Sequence, residues 1–414
     1  MPTPTLSAAA KAKLDALLHT SVAQPETPAF AFAAATADEL LYFNSAGERV
    51  WGSPDKGQVD DTTLYQLYSM TKLVTAVAAL QLVDEGKLEI DDGAIIEQTL
   101  PELAARPILS YDADGKEVLT ARKNPITLRR LLSHTSGLGY TLFDPRYVRW
   151  MKDHGKPQTL FMSAGGGLGA LEIPLLFEPG TSFVYGVGID WAGVLVERLS
   201  GLSLEEYFQQ RIFKPLGIKS LTFHLTQEYI DGLQAVTDRN AEGKLHLAPS
   251  LREVVPHTMK QFHGGDGLYG TAKDYVRFLQ GVLASAKPGG LVSPESYKWL
   301  FTNVLPEREG TTVYEGLTGF LSLLPVDKTL LADTGKALGY SLSLQLNTVE
   351  SAYGRKAGSA SWGGAAKTMY WIDPVTGVIG AVFTQVLNGN PLASTDYVNN
   401  VYYNFERELY NVLE

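Results

Sequence analysis

Ser69-Met70-Thr71-Lys72 stands directly before the apolar run 73–80, Leu-Val-Thr-Ala-Val-Ala-Ala-Leu. This pattern predicts a helix that begins close to Ser69. Residues three positions apart share one face of a helix, so the amine of Lys72 can reach the hydroxyl of Ser69. A helix start also offers unpaired backbone N–H groups and the positive end of the dipole, which stabilise an oxyanion. The four residues therefore predict a serine nucleophile, a base and an anion site within one helical turn.

The Ser-x-x-Lys spacing alone is weak evidence, because a second match occurs at residues 53–56, Ser-Pro-Asp-Lys. That copy lies between Gly52 and Gly57, a composition typical of a turn with no helix behind it. Only the copy at Ser69 leads into an apolar helix. The alternative for Ser69 is an ordinary serine at the start of a helix.

Composition narrows the classes of function that the chain can have. A formal net charge of -10 argues against binding to nucleic acids or anionic membranes. No apolar run is long enough to span a bilayer, and the N-terminal residues lack the pattern of a secretory signal. The chain has no cysteine, which excludes a disulfide framework and a thiolate nucleophile. We therefore expect a soluble, cytoplasmic protein that needs no cofactor and no metal.

Strand patterns lie at the two ends of the chain, and helical patterns lie between them. A helix is predicted at Ser7–Leu18, followed by a hairpin of strands Ala29–Ala35 and Glu39–Asn44. From Thr71 to about Ala284 the pattern is mainly helical. Three helix starts in this region are marked by capping residues: Thr127, Ser203 and Thr271.

The C-terminal part of the chain is predicted to return to strands. Tyr340–Leu346 alternates as one strand, Thr368–Ile372 and Val378–Gln385 form a second hairpin, and Asp396–Leu413 forms an amphipathic helix. Strands at both ends predict an α/β (α+β) fold, in which one antiparallel sheet is built from both termini and flanked by helices. Residues 1–70 and 304–414 would form the sheet domain. Residues 71–303 would form a large inserted, mainly helical domain, with the active site at the interface.

Several catalytic motifs are absent from the sequence. It contains no Gly-x-Ser-x-Gly elbow, no His-Glu-x-x-His and no Walker-type phosphate-binding loop. The seven histidines are scattered and none pairs with another at metal-ligand spacing. Serine–lysine chemistry is the strongest option that remains.

Three further segments, together with residues 69–72, resemble a known family. They are residues 131–138 (Leu-Leu-Ser-His-Thr-Ser-Gly-Leu), 185–193 (Tyr-Gly-Val-Gly-Ile-Asp-Trp-Ala-Gly) and 362–365 (Trp-Gly-Gly-Ala). Their order and the overall length are similar to those of the serine β-lactamase and penicillin-binding-protein superfamily. Within it, the chain resembles the class C-like (family VIII) esterase branch and, in that branch, fungal transesterases of the lovastatin acyltransferase type. The resemblance covers nearly the whole chain and implies a β-lactamase-like fold.

The resemblance also implies a role for each matching residue. Ser69 would be the acylated nucleophile, Lys72 its base, and Tyr185 the tyrosine of the family's Tyr-x-Asn element. Residues 362–364 stand where the family has Lys-Thr-Gly. The backbone N–H groups of Ser69 and Ala365 would form the oxyanion hole.

Two departures from the family's pattern concern substrate recognition. Val187 replaces the asparagine of Tyr-x-Asn, and Trp362 replaces the lysine of Lys-Thr-Gly. Both changes exchange a polar group for apolar surface, which favours neutral or apolar acyl substrates over β-lactams and peptides. The residues expected to contact substrate are Trp362, Gly363, Gly364, Val187 and Trp191.

The resemblance therefore implies a serine-dependent carboxylesterase or acyltransferase that acts on a small acyl ester or thioester, related to natural products. Its partners would be a small-molecule acyl donor and an alcohol acceptor, with an acyl-carrier protein as a further candidate. Whether water or an alcohol takes the acyl group is left open, because this depends on how well the pocket excludes water. The alternatives are a β-lactamase or D-alanyl-D-alanine carboxypeptidase, and a non-enzymatic binding module on the same fold.

Overall fold

The main sheet of the protein is built from the two ends of the chain. The computed structural model describes residues 3–141, 143–156, 168–251, 254, 261–324, 326, 328–387 and 396–414. The strands in this part are β1 Phe30–Ala35, β2 Leu40–Ala46, β3 Leu64–Gln66, β4 Ile108–Tyr111, β5 Glu117–Thr120, β6 Thr237–Arg239, β7 Leu245–Leu247, β8 Tyr269–Thr271, β9 Leu338–Tyr340, β10 Gln345–Asn347, β11 Ala360–Gly363, β12 Met369–Asp373 and β13 Val378–Phe383. Seven of them form the sheet in the order β2-β1-β13-β12-β11-β10-β9, with every neighbouring pair antiparallel.

Helices outweigh strands between the two groups of sheet strands, and helices also lie at both ends of the chain against the sheet. They are α1 Ala8–Val22, α2 Thr71–Asp84, α3 Gly93–Thr99, α4 Pro101–Ala104, α5 Leu128–Leu132, α6 Pro145–Asp153, α7 Gly188–Ser200, α8 Leu204–Phe208, α9 Gln227–Gly232, α10 Ala272–Ala284, α11 Pro294–Leu300, α12 Val313–Leu321 and α13 Asp396–Val412. The predicted caps are confirmed, since the side chains of Thr127, Ser203 and Thr271 each accept a hydrogen bond from the backbone N–H three residues ahead. No helix within the described ranges is long and apolar enough to cross a membrane. The cytoplasmic location stays a prediction.

Strand β1 separates two hydrophobic cores, because successive side chains of a strand point to opposite faces of the sheet. Phe30 and Phe32 pack in a core with residues of α1 and α13. Ala31 and Ala33 join the larger core, which includes α2, α7 and α10. The predicted hairpin of β1 and β2 and the predicted antiparallel sheet from both termini are confirmed.

The prediction of a single strand at Tyr340–Leu346 is wrong. Strand β9 ends at Tyr340 and β10 begins at Gln345, and the two pair as a hairpin. Ser343 adopts a left-handed backbone (φ 85°) in the turn, and its N–H donates to Leu132 O at 3.0 Å. This tertiary hydrogen bond stabilises the turn, which contains neither glycine nor asparagine and therefore has no turn signal in the sequence.

The middle of the chain also contains short β pairs that the helical pattern did not predict. Strands β4 and β5 form a hairpin, as do β6 and β7, while β3 pairs with β8. The larger core runs without interruption from the sheet to the helices of the middle segment. The boundaries at residues 70 and 303 therefore stay a prediction.

Candidate active site

Ser69 lies at the entry to α2, where the chain passes through a 3-10 turn at Tyr68–Met70. Two hydrogen bonds fix this entry: Tyr275 OH donates to Met70 O (2.7 Å) and Leu268 N–H donates to Thr71 Oγ1 (3.2 Å). Helix α2 is apolar around most of its circumference and is buried from Thr71 through Leu82. A helix of this kind belongs in a core, so Ser69 is held on a rigid element.

The residue that precedes the nucleophile candidate has a strained backbone. Tyr68 has φ 45°, a left-handed conformation that costs a non-glycine residue roughly 1–3 kcal/mol. Its ring is buried, and its hydroxyl lies 3.0 Å from both Gln66 Oε1 and Ser250 Oγ. These contacts hold the strained turn, which orients Ser69.

The structure brings together the three predicted catalytic side chains. Lys72 Nζ lies 3.2 Å from Ser69 Oγ, and Tyr185 OH lies 2.8 Å from the same oxygen. Lys72 is fully buried and Tyr185 is nearly so. The amine is also 4.7 Å from the centre of the Tyr185 ring. The hydroxyl of Ser69 thus has two hydrogen-bonding partners that can exchange protons with it.

Lys72 has two further partners that the sequence reasoning missed. Its Nζ lies 2.9 Å from Tyr140 OH and 2.7 Å from Gly265 O. Tyr140 comes two residues after the segment 131–138, and that proximity was the one signal that could have found it. Burial raises the pKa of Tyr140 well above its usual value, so its hydroxyl stays protonated.

The two tyrosines are held side by side by their backbones. Tyr140 N–H donates to Tyr185 O at 3.2 Å, and a Cβ on Gly186 would lie 2.3 Å from the backbone of Gly139. Only glycine allows this close approach. His134 packs against the Tyr185 ring with 4.6 Å between ring centres, and burial, followed by the charge of Lys72, lowers its pKa well below the usual value. His134 is therefore neutral beside the site.

Strand β11 carries residues 362–365 to the entry of α2. A Cβ on Gly364 would lie 2.5 Å from Leu67 O, so glycine is required where the two segments meet. The Gly364 N–H donates to Thr368 O (2.7 Å), whereas the Ala365 N–H has no acceptor among the described residues. This leaves the Ala365 N–H available to a ligand. Its role in an oxyanion hole, like that of the Ser69 N–H, stays a prediction.

The comparison with protein families identifies the architecture. The model of the Beta-lactamase family matches residues 14–403. The chain belongs to the beta-lactamase family. The predicted β-lactamase-like α/β fold is thereby confirmed.

Relatives within this family include enzymes that transfer or hydrolyse acyl groups. Monacolin J acid methylbutanoyltransferase from Aspergillus terreus is 30% identical over 361 residues, which are 85% of this chain and 83% of that protein. Lovastatin esterase from Penicillium rubens is 33% identical over 344 residues, which are 81% and 82% of the two chains. A solved structure of a LovD6 mutant of simvastatin synthase from Aspergillus terreus superposes with a TM-score of 0.81 at 27% identity. It covers 98% of this chain and 95% of that one. The predicted resemblance to lovastatin-type acyltransferases is confirmed, and the chain is a serine hydrolase or acyltransferase that acts on carboxylic esters.

An aromatic wall distinguishes this beta-lactamase family member from the Lys-Thr-Gly pattern. The Trp362 ring lies 5.4 Å from the Tyr185 ring and 6.0 Å from the Phe320 ring, and Phe320 stacks on Tyr185 at 4.4 Å. Trp362 is 7% exposed. The position that would hold a cation in the family's pattern is therefore apolar and lies directly against a catalytic candidate.

Two of the residues expected to contact substrate are placed differently by the structure. Val187 and Trp191 have no exposed surface, and the Trp191 indole N–H donates to Leu171 O at 3.2 Å. Both belong to the larger hydrophobic core. Their assignment as substrate contacts stays a prediction, which this packing in the core does not support. Helix α7 begins at Gly188, so apolar residues near its start turn inward to pack.

Lys367 is a buried cation that the sequence reasoning did not single out. It lies two residues after Ala365, is 7% exposed, and has a left-handed backbone (φ 66°). Burial lowers its pKa to about 8. Below that pH the folded protein holds an ammonium group with no ion-pair partner within the described ranges, which opposes folding.

We expect Lys367→Met to raise the free energy of unfolding at neutral pH by about 3 kcal/mol, the value that corresponds to the lowered pKa. The unfolded chain binds the proton up to a higher pH than the folded chain, so wild-type stability rises between about pH 8 and the ordinary lysine range. The gain from the methionine should therefore disappear above that range. Denaturant unfolding at both ends of the window measures it.

Lys287→Met is the matched control, because Lys287 is an exposed lysine. It should leave stability unchanged at both pH values. Equal effects of the two variants, or a gain for Lys367→Met that does not depend on pH, would contradict the assignment.

Proposed function

We propose that the protein is a transesterase that moves a small acyl group from an ester or thioester, through an acyl-enzyme at Ser69, to an alcohol. The observation that carries the proposal is the pair of contacts at Ser69 Oγ, with Lys72 Nζ at 3.2 Å and Tyr185 OH at 2.8 Å. Both groups are buried beside an aromatic wall. Nucleophile, base and proton donor are thereby preorganised in a buried site.

The hydrogen-bond partners of Lys72 support its role as the first base. A neutral amine has two N–H donors and one lone pair. Gly265 O can only accept, and Tyr140 OH offers a second acceptor at 2.9 Å. With both N–H groups used in this way, the lone pair faces Ser69 and can accept its proton. Ser69 Oγ then attacks the acyl carbonyl and forms a C–O bond.

Tyr185 supports the second half of the acylation step. Its hydroxyl donates to Ser69 Oγ, so it lies next to the carbonyl carbon that Ser69 attacks. It passes a proton to the leaving alcohol or thiol as the old ester bond breaks, and it recovers that proton from the Lys72 ammonium. The Ser69 and Ala365 N–H groups would hold the negative charge on the carbonyl oxygen in between. In the second step the acceptor alcohol takes the place of the leaving group, and the same proton transfers run in reverse.

Apolar surroundings support transfer over hydrolysis. The wall of Trp362 and Phe320 beside Tyr185 offers surface to an apolar acyl group or acceptor and little that would order a water molecule. One relative is named Monacolin J acid methylbutanoyltransferase, which is consistent with acyl transfer and with a natural-product substrate for this protein. Hydrolysis is the second candidate, because a lovastatin esterase is 33% identical. The proposal includes an acyl-carrier protein as a candidate acyl donor.

Product analysis tests transfer against hydrolysis. The purified protein is given p-nitrophenyl butyrate in water with and without a primary alcohol, and the acid and the new ester are quantified. We expect the new ester to become the main product when alcohol is present, because the acceptor partitions into the apolar site while water does not. Release of acid alone, whatever the alcohol concentration, would make the protein an esterase.

Two further arms make this experiment specific. A chromogenic cephalosporin should be turned over far more slowly than the ester, and equal rates would revive the β-lactamase alternative. A fluorophosphonate probe should label Ser69. A folded protein that does not label would support the non-enzymatic binding module.

A further inference from the structure

Asp190 is a buried carboxylate directly behind the catalytic lysine. It lies in the first turn of α7, is 3% exposed, and accepts the Gly265 N–H at Oδ1 (3.0 Å). The other carboxylate oxygen, Oδ2, has no hydrogen-bond partner among the described residues. A buried carboxylate with an unsatisfied oxygen opposes folding, so its presence here calls for a reason beyond packing.

The glycine whose N–H binds Asp190 is the one whose carbonyl binds Lys72. Gly265 O lies 2.7 Å from Lys72 Nζ, and one residue earlier Gly264 O accepts from Thr75 Oγ1 at 2.7 Å. A Cβ on Gly265 would lie 2.5 Å from Asp190 Oδ2, so only glycine lets the peptide approach the carboxylate this closely. The segment is thus fixed between α2 on one side and α7 on the other.

We propose that Asp190 is a positioning residue that fixes the Gly264–Gly265 peptide and thereby aims the Lys72 amine at Ser69 Oγ. The proposal rests on the function proposed above. Asp190 does not touch the reacting atoms. It acts through one backbone N–H, and the carbonyl of the same glycine sets the direction of the base.

The position of Asp190 also makes its effect depend on pH. Burial raises its pKa to about 7, opposed by the charge of Lys72 and the Gly265 N–H and reinforced by Asp266. His263 Nδ1 lies 3.8 Å from Oδ1, beyond hydrogen-bond length, and Tyr140 lies near enough for the Asp190 charge to raise its pKa. Protonation of Asp190 weakens it as an acceptor for the Gly265 N–H. Acylation should therefore become slower as the pH falls through about 7.

Two substitutions distinguish the hydrogen bond that Asp190 accepts from the charge that it carries. Asp190→Ala removes the acceptor, so kcat/KM for p-nitrophenyl butyrate and the rate of fluorophosphonate labelling should fall roughly 100-fold, the cost of a displaced catalytic group. Asp190→Asn keeps an acceptor oxygen but cannot titrate. It should stay within roughly five-fold of wild type at neutral pH and lose the decline on the acid side of the pH profile.

Gly265→Ala serves as a second variant if Asp190→Ala does not fold, because its Cβ displaces the Asp190 carboxylate without removing any charged group from the protein. It should lower the labelling rate and change the same part of the pH profile. Gly319→Ala is its control, since a Cβ there meets open space. Circular dichroism verifies that each variant is folded.

The proposal is overturned if Asp190→Ala acylates within about three-fold of wild type, if Asp190→Asn loses as much as the alanine variant, or if folded Gly265→Ala keeps the wild-type profile. These failures are distinct from a failure of the proposed function. Wild-type labelling, located at Ser69 by peptide mass and lost in a Lys72 variant, tests that function independently.

Discussion

Ser69→Ala lowers turnover of p-nitrophenyl butyrate by roughly 10⁵-fold or more, and no acyl adduct is found on the intact protein by mass spectrometry. The reason is that alanine has no oxygen to form the ester bond on which both steps depend. The lost hydroxyl is a small, 8% exposed group, so the fold should be retained. Tyr185 and Lys72 would then lie across a gap with nothing to activate.

The chain provides its own control for this variant. Ser53 begins the other Ser-x-x-Lys match, but it precedes a short 3-10 turn at Pro54–Lys56 instead of an α-helix, and its side chain makes no capping hydrogen bond. Ser53→Ala should leave turnover and the acyl adduct unchanged. An adduct that persists in Ser69→Ala would remove Ser69 from the mechanism, whatever the rate.

Lys72→Met has the second largest expected effect, a loss of roughly 10²- to 10⁴-fold in the rate of acylation. Methionine fills similar volume in the buried site but cannot take the proton from Ser69. The substitution also leaves Gly265 O and Tyr140 OH without their donor, so some loss of stability is expected. Stopped-flow labelling with the fluorophosphonate probe measures the rate, and circular dichroism monitors the fold.

Lys56→Met is the matched control, because Lys56 occupies the equivalent place in the other match and is exposed. It should acylate at the wild-type rate. If folded Lys72→Met loses less than about ten-fold, the role of first base passes to Tyr185, whose hydroxyl is the other group within reach of Ser69.

The grouping of the three candidate catalytic side chains could be predicted because its information is local. The spacing of Ser69 and Lys72 and the helix that follows place two of the three side chains, and the resemblance at Tyr185 supplies the third. The carbonyl of Gly265 could not be predicted, since a backbone group carries no residue signature. Tyr140 was missed because one tyrosine near a motif differs in no way from a core aromatic until the fold places it.

Burial on all sides limits what the sequence pattern can predict at some positions, and tertiary contacts limit it at others. Val187 and Trp191 look like pocket residues in a motif, but the first turn of α7 packs them inward. Polar and apolar side chains alternate along residues 340–346, as they do in a strand with one exposed face, although a turn divides the segment. The segment is almost entirely buried, so this alternation does not mark an exposed face. The short β pairs of the middle segment are fixed by tertiary contacts and turns, which periodicity does not detect.

The order of strands in the main sheet has a consequence for synthesis on the ribosome. Strand β1 is made early, yet its neighbour β13 is made hundreds of residues later, with Ala31 opposite Phe383. Until β13 emerges, the edge of β1 that pairs with it stays open, and an open strand edge favours aggregation. The backbone of Thr5 likewise forms hydrogen bonds with the backbone of Glu414, which is made much later. The nascent chain should therefore depend on chaperones until β13 has left the ribosome.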